Sequence, residues 1–110
     1  MEITTRKKDN AVMVSVTGRI DMVTAPAFEK SLSDEISAGV KRIILNFSAL
    51  EYISSIGLRV ILAASKKLKE QQGELMFAGL QGPVNEVFKI SGFHSLYKMF
   101  ESEEAALQEM

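Results

Sequence analysis

Apolar residues occur in short β-prone runs, which are separated by polar turns or by longer amphipathic segments. The first two runs flank residues 8–10, where Asp and Asn readily adopt turn conformations, so this part predicts an opening hairpin. Ile43, Ile44 and Leu45 follow one another, which is typical of a strand covered on both faces. The five predicted strands cover residues 3–7, 11–16, 42–47, 75–78 and 97–100.

Apolar residues spaced three and four positions apart predict four helices, at residues 24–39, 55–71, 82–92 and from 102 onward. The first is predicted to have Thr24 as its capping residue and Pro26 in its first turn. The last is predicted to be capped by Ser102. The residues expected to face the core are Ala25, Phe28, Leu32 and Ile36 in the first helix, Leu58, Ile61, Leu62 and Leu68 in the second, and Val84, Val87 and Phe88 in the third.

The order of elements predicts an α/β fold, β-β-α-β-α-β-α-β-α, with a mixed sheet of about five strands and about four helices packed on it. Right-handed crossovers would bring the strand carboxyl ends and the loops after them to one edge of the sheet, where binding sites gather. Residues 18–24 and 48–57 are expected at this edge. The length of 110 residues suits one domain covering residues 1–110.

Composition narrows the classes of function. Thirteen basic and 14 acidic residues leave a net charge of −1, which gives no general reason to bind nucleic acid or a membrane surface. The chain has no cysteine, so disulfides and thiolate metal sites are excluded. The first eight residues lack the apolar segment of a signal peptide, and no run is long enough to span a bilayer, so we expect a cytoplasmic protein.

Ser54 and Ser55 stand where a loop is predicted to become the second helix. A serine hydroxyl there can accept a hydrogen bond from a free N–H group of the first turn. The same position also suits a phosphate group, because a helix N-terminus offers free N–H donors and a partial positive charge. The residues alone leave both interpretations open.

Four segments of the chain resemble the bacterial anti-sigma factor antagonists, which have the STAS fold. They lie in one register and cover nearly the whole chain: residues 18–21, 43–60, 73–75 and 84–92. The resemblance implies that Ser55 is phosphorylated by an anti-sigma factor that is itself a serine kinase. It also implies that the unphosphorylated form binds this kinase and so frees a sigma factor, that phosphorylation ends the binding, and that a serine phosphatase resets it.

Two positions depart from the family pattern, which often has aspartates where this chain has Ser54 and Asn46. Ser54 is therefore an alternative acceptor of the phosphate. We expect Ile56 to be the exposed contact, because Leu58 fits the inward series. The resemblance places the partner-binding surface on Asp21, Thr24, Asn46, Ser48, Ser54, Ile56, Gly57 and Arg59.

The residues give less support to other functions. Asp21 can also be interpreted as a turn residue, and Arg59 can be interpreted as a solvated surface charge. Residues 53–57 approach the Gly-x-Ser-x-Gly elbow of hydrolases, but Ile53 replaces the first glycine, and His94 is the only histidine. We therefore predict no catalytic residue, no metal site and no cofactor. The alternative function is a non-switching STAS scaffold or an accessory subunit of a larger signalling or transport complex, with Ser55 only a capping residue.

Overall fold

The computed structural model describes residues 1–109, which form six strands and five helices. The strands are β1 (Glu2–Lys8), β2 (Ala11–Ile20), β3 (Arg42–Asn46), β4 (Leu50–Ile53), β5 (Glu74–Ala78) and β6 (Lys98–Phe100). The helices are α1 (Ala25–Ser37), α2 (Ser55–Glu70), α3 (Gly82–Ile90), α4 (Phe93–Leu96) and α5 (Glu103–Gln108).

The sheet is mixed, with strand order β1-β2-β3-β5-β6. The predicted hairpin is present, since β1 and β2 pair antiparallel, and β2, β3, β5 and β6 pair in parallel. β2 is longer than predicted and pairs with two strands. Its first half pairs with β3, and after a register shift at Gly18, whose φ is +91°, its last residues pair with β4.

The main core lies between one face of the sheet and helices α1, α2 and α3. Val12, Val14 and Val16 point to this face, as the period of two along a strand requires. Ala11 and Met13 point to the opposite face, where a smaller cluster packs against Ala106 of α5. Four phenylalanine rings fill the centre of the main core, with neighbouring ring centroids 5.1–6.2 Å apart: Phe28, Phe47, Phe77 and Phe88.

The structure corrects the predicted inward face of α2. Leu62 is 42% exposed and Leu58 is only partly buried, whereas Val60 and Ala64 are buried. The buried set follows i, i+3, i+4 spacing from Gly57, but the small side chains of glycine and alanine gave this face a weak apolar signal. The prediction placed the larger Leu62 on the buried face, but Leu62 lies outside it.

Two short elements were not predicted. β4 has four residues and α4 is a single turn, which makes the sheet six-stranded and raises the number of helices to five within residues 1–109. Segments this short carry too few positions for a period to be recognised. No helix in the described part of the chain is both long and apolar enough to cross a bilayer.

Candidate functional site

The two segments singled out in the sequence lie side by side at the carboxyl edge of the sheet. β4 pairs with the end of β2, Arg19 opposite Tyr52 and Ile20 opposite Ile53. The N–H of Ser54 then donates to the carbonyl of Ile20 over 2.9 Å. The start of α2 is thus fixed by hydrogen bonds to the strand that leads into the loop before α1.

Ser54 and Ser55 occupy different positions at the start of α2. Ser54 is the N-cap, and its hydroxyl accepts a hydrogen bond of 3.4 Å from the N–H of Gly57. Ser55 is the first helical residue, it is exposed, and its hydroxyl has no hydrogen-bond partner within residues 1–109. Capping is therefore done by Ser54, which leaves Ser55 accessible to another protein.

Gly57 is buried, so the free chain does not offer it as a contact surface. A Cβ atom at this position would come within 2.7 Å of a side-chain carbon of Ile53 and within 2.8 Å of one of Ile20. Atoms at such distances overlap, so only glycine allows α2 to start this close to the strands. Gly57 therefore has a packing role in the free chain, and its contact with a partner stays a prediction.

Asp21 organises the loop between β2 and α1. Its carboxylate accepts hydrogen bonds from the N–H groups of Val23 and Thr24, over 3.0 and 3.1 Å, and one of its oxygens lies 3.2 Å from the Thr24 hydroxyl oxygen. The hydrogen bond from the Thr24 N–H is the largest cause that lowers the pKa of Asp21 below its ordinary value.

Thr24 occupies the N-cap position of α1, but its hydroxyl does not cap the helix as predicted. The hydroxyl donates to the carbonyl of Arg19 over 2.8 Å and accepts from the N–H of Asp21 over 2.9 Å. It therefore fastens the loop to β2. The N–H of Ala25 donates instead to the carbonyl of Asp21, over 2.8 Å.

The same loop exposes two apolar side chains that the sequence analysis missed. Met22 is 73% exposed and Val23 is 84% exposed, because the turn at Asp21 directs them outward. Beside them on paired strands, the Arg19 guanidinium lies 4.3 Å from the centre of the Tyr52 ring. The sequence did contain a signal for this exposed loop. Two consecutive apolar residues stand between an Asp and a Thr at the end of a strand.

Ile56 and Arg59 line a groove between α1 and α2, together with Met22 of the loop. Ile56 is partly buried and Arg59 is exposed. Met22 joins the groove to the exposed apolar loop, and Ser55 directly precedes Ile56 on α2. We call this combined area, made of Arg19, Met22, Val23, Tyr52, Ser55, Ile56 and Arg59, the edge surface.

The structure does not add Asn46 to the edge surface. Its side-chain amide donates to the Glu103 carboxylate of α5 over 2.9 Å, and its oxygen accepts from the N–H of Ser48 over 3.0 Å. The Ser48 carbonyl accepts in turn from Gln81 over 2.6 Å. Asn46 and Ser48 therefore hold the loop between β3 and β4, which leads into the strand before Ser55.

Glu103 is a further residue that the sequence analysis missed as a contact. It receives hydrogen bonds from Arg6 of β1 and Asn46 of β3. Burial acts to raise the pKa of Glu103, but the hydrogen bonds from Asn46 and Arg6 and the charge of Arg6 outweigh it, so the pKa lies below its ordinary value. The carboxylate joins α5 to two strands.

Residues 1–109 contain no group of three or more side chains suited to hold a metal ion. His94 is exposed, and its ring nitrogen Nε2 lies 2.9 Å from the Asn85 side-chain oxygen, on α3. No acidic or imidazole base is hydrogen-bonded to Ser54 or Ser55 in the described structure. The arrangement presents an accessible Ser55 hydroxyl and, on the neighbouring loop, the exposed side chains of Met22 and Val23.

Comparison with known proteins finds a matching family model and a similar relative that agree with each other. The family model described as the STAS domain matches residues 2–106. A Bordetella bronchiseptica protein named for the role of anti-sigma factor antagonist, BtrV, is 39% identical over 106 residues, which cover 96% of this chain and 91% of the relative.

Solved structures have the same fold. An anti-sigma factor antagonist from Mycobacterium paratuberculosis superposes with a TM-score of 0.89 at 27% identity, covering 98% of this chain and 92% of that one. The Bacillus cell fate determinant SpoIIAA, solved in its phosphorylated form, superposes with a TM-score of 0.78 at 22% identity, covering 98% of each chain. At that identity the second likeness concerns the fold alone.

Proposed function

Since the chain belongs to the STAS domain family, we propose that it is an anti-sigma factor antagonist whose binding to a kinase-type anti-sigma factor is switched off by phosphorylation of Ser55. The unphosphorylated form binds the kinase through the edge surface, and this binding frees a sigma factor. The kinase phosphorylates Ser55 and releases the chain, and a serine phosphatase restores the binding form.

The observation that carries the proposal is the exposed, unbonded hydroxyl of Ser55 beside an exposed apolar loop. Met22 and Val23 are the large apolar side chains a partner would cover, and Arg19 with Tyr52 adds the residue types enriched at the energetic centre of interfaces. A kinase docked on this surface would have the acceptor hydroxyl within its contact area.

The effect of a phosphate on partner binding follows from the position of Ser55 in the proposed interface. Phosphorylation adds about −1.5 to −2 charges, and an interface that covers Ser55 would have to remove them from water. A loss of about 2.7 kcal/mol weakens binding about 100-fold, which is a small part of the cost of burying a charge that the partner does not neutralise.

The fold itself can accept the phosphate. Ser55 lies at the N-terminus of α2, where free N–H groups and the helix dipole favour an anion. Arg59 is one turn further along α2, on the same face, and can offer a cation to the modified serine. We therefore expect phosphorylation to change the surface while leaving the packing intact.

A pair of aspartate variants tests the switch by binding to the purified cognate anti-sigma factor. Ser55→Asp places a carboxylate at the proposed phosphosite, and we expect affinity to fall at least about tenfold. Ser54→Asp is the matched control, because aspartate is as good an N-cap as serine and puts the same charge one residue away. We expect Ser54→Asp to bind within about threefold of the unsubstituted protein.

Isothermal titration of each variant, with circular dichroism to confirm folding, gives the comparison. Equal affinity of Ser55→Asp and the unsubstituted protein would argue against Ser55 as the switch. Loss of affinity in Ser54→Asp alone would move the site to Ser54. A stable complex insensitive to all these changes would favour the scaffold function.

A further inference from the structure

A second groove lies on the other flank of α2. It is formed by residues of α2, the start of β5 and the segment from α4 to β6, and its volume is about 830 Å³. We call it the basic groove. α2 contributes Leu62, Ser65, Lys66 and Lys69, which follow the i, i+3, i+4, i+7 spacing of a single helix face.

The basic groove shares no lining residue with the groove between α1 and α2. That groove takes Ile56, Arg59, Val60 and Ala63 from α2, which have the same spacing but start six residues earlier. Six residues at 3.6 per turn place the two faces roughly 120° apart around the helix axis. The two grooves therefore lie on different faces of α2.

Apolar side chains stand at both sides of the basic groove. Leu62 of α2 is 42% exposed, and Leu96 of α4 is 61% exposed. Both lining hydroxyls already donate hydrogen bonds: the Ser65 hydroxyl donates to the carbonyl of Leu62 over 2.9 Å, and the Tyr97 hydroxyl donates to the Ser65 hydroxyl over 2.7 Å. The groove therefore makes little demand for a polar ligand group. Buried Leu75 lies beneath these side chains.

The charge along the rim is positive. Lys66 and Lys69 form no salt bridge within residues 1–109, and Lys98 approaches Glu74 at 3.3 Å. The groove thus has two free ammonium groups beside exposed leucines. A ligand that fits both features carries carboxylates next to apolar side chains.

We propose that the basic groove binds an acidic amphipathic helix of a second protein partner. The leucines of such a helix would pack between Leu62 and Leu96, and its carboxylates would pair with Lys66 and Lys69, in the helix-in-groove manner. The chain would then hold this partner while the edge surface exchanges another. The proposal goes beyond the phosphorylation switch and does not depend on it.

The test uses the full chain, labelled with ¹⁵N, and a synthetic helical peptide. The peptide has about 14 residues, with Leu at i, i+3, i+4 and i+7 and Glu on the flanks of the apolar stripe. We expect amide shifts at Leu62, Lys66, Lys69 and Leu96 and none at Ser55, with a binding constant that weakens as salt is raised.

Charge-reversal variants supply the matched comparison. The double variant Lys66→Glu, Lys69→Glu should lower the affinity for the peptide about tenfold or more, because two attractions become repulsions. Lys67→Glu reverses a neighbouring exposed lysine of α2 that does not line the groove, and it should leave the affinity within about twofold. Leu96→Ser should also weaken binding, whereas Ile90→Ser, at a residue 85% exposed on α3, should not.

Four results would overturn the proposal. One is no shift at the groove at millimolar peptide, and another is equal weakening by Lys66→Glu with Lys69→Glu and by Lys67→Glu. A third is decanoate binding there while the peptide does not, which would identify an acyl chain as the occupant. The last is concentration-dependent dimerisation that these variants abolish, which would identify a second copy of the chain.

Discussion

Neighbouring residues at the start of α2 have different roles, some in the structure and one at the surface. Ser54 caps the helix and Gly57 lets it approach the strands, while Ser55 is left exposed with a free hydroxyl. The sequence indicates a serine at a helix start, but a boundary uncertain by one residue cannot tell the cap from its neighbour. The likeness to known antagonists selected Ser55, and the structure supplies the physical distinction.

Gly57→Ala tests the packing role of this glycine. Alanine has the higher helix propensity, by up to about 1 kcal/mol, but its methyl group would overlap side-chain carbons of Ile53 and Ile20. We expect the overlap to dominate and the free energy of unfolding to fall by about 1–3 kcal/mol. Urea denaturation measures this change in the free energy of unfolding.

The control is Ala63→Gly, at an exposed site on α2, which changes helix propensity alone. Gly39→Ala is not a suitable control, because the φ of Gly39 is +88°. A Gly57→Ala protein more stable than the unsubstituted one would contradict this role.

Among the elements, α5 is held to the sheet by apolar packing of Ala106 and by the Glu103 carboxylate. The chain of contacts from Glu103 through Asn46 to Ser48 also reaches the loop before β4. An aspartate at position 46 would bring a second carboxylate to Glu103. The asparagine of this chain donates a hydrogen bond to it instead.

The Glu103 contact predicts a dependence of stability on pH. Because its pKa is lowered in the folded state, the contact stabilises the protein above the ordinary carboxyl pKa of 4.5 and is lost as pH falls through the lowered value. Glu103→Gln should reduce the free energy of unfolding at neutral pH by about 0.5–1 kcal/mol, and the difference should shrink below the ordinary pKa.

Urea denaturation at several pH values measures this difference. Glu104→Gln is the matched control, since Glu104 is the exposed neighbour on the same helix, and it should show a smaller difference at neutral pH. Asp21 titrates in the same acidic range in every variant, so its contribution cancels in the comparison. A Glu103→Gln effect that persists unchanged into acid would contradict the account.

The predicted elements agree with the structure where the pattern is long. The period of α2 predicted a helix from residue 55 to 71, and it covers Ser55–Glu70. β4 and α4 escaped prediction because each depends on tertiary pairing, β4 on the end of β2 and α4 on Phe93 in the core. The exposure of Leu62 and of the Met22 loop likewise follows from tertiary packing, which a local period does not contain.

At the scale of the whole molecule, α2 connects two separate surfaces. Its N-terminus and one face belong to the edge surface, and another face lines the basic groove. Under the proposed function, we expect the charge at Ser55 to control the exchange of partners without a rearrangement of the sheet or the core. The α/β fold provides the rigid frame.

The most direct measurement is phosphopeptide mass spectrometry on the native protein, followed by titration of its two separated forms with the anti-sigma factor. The account predicts phosphate on Ser55 and binding at least about tenfold tighter for the unmodified form. Phosphate on Ser54, or equal affinity of the two forms, would contradict the central claim.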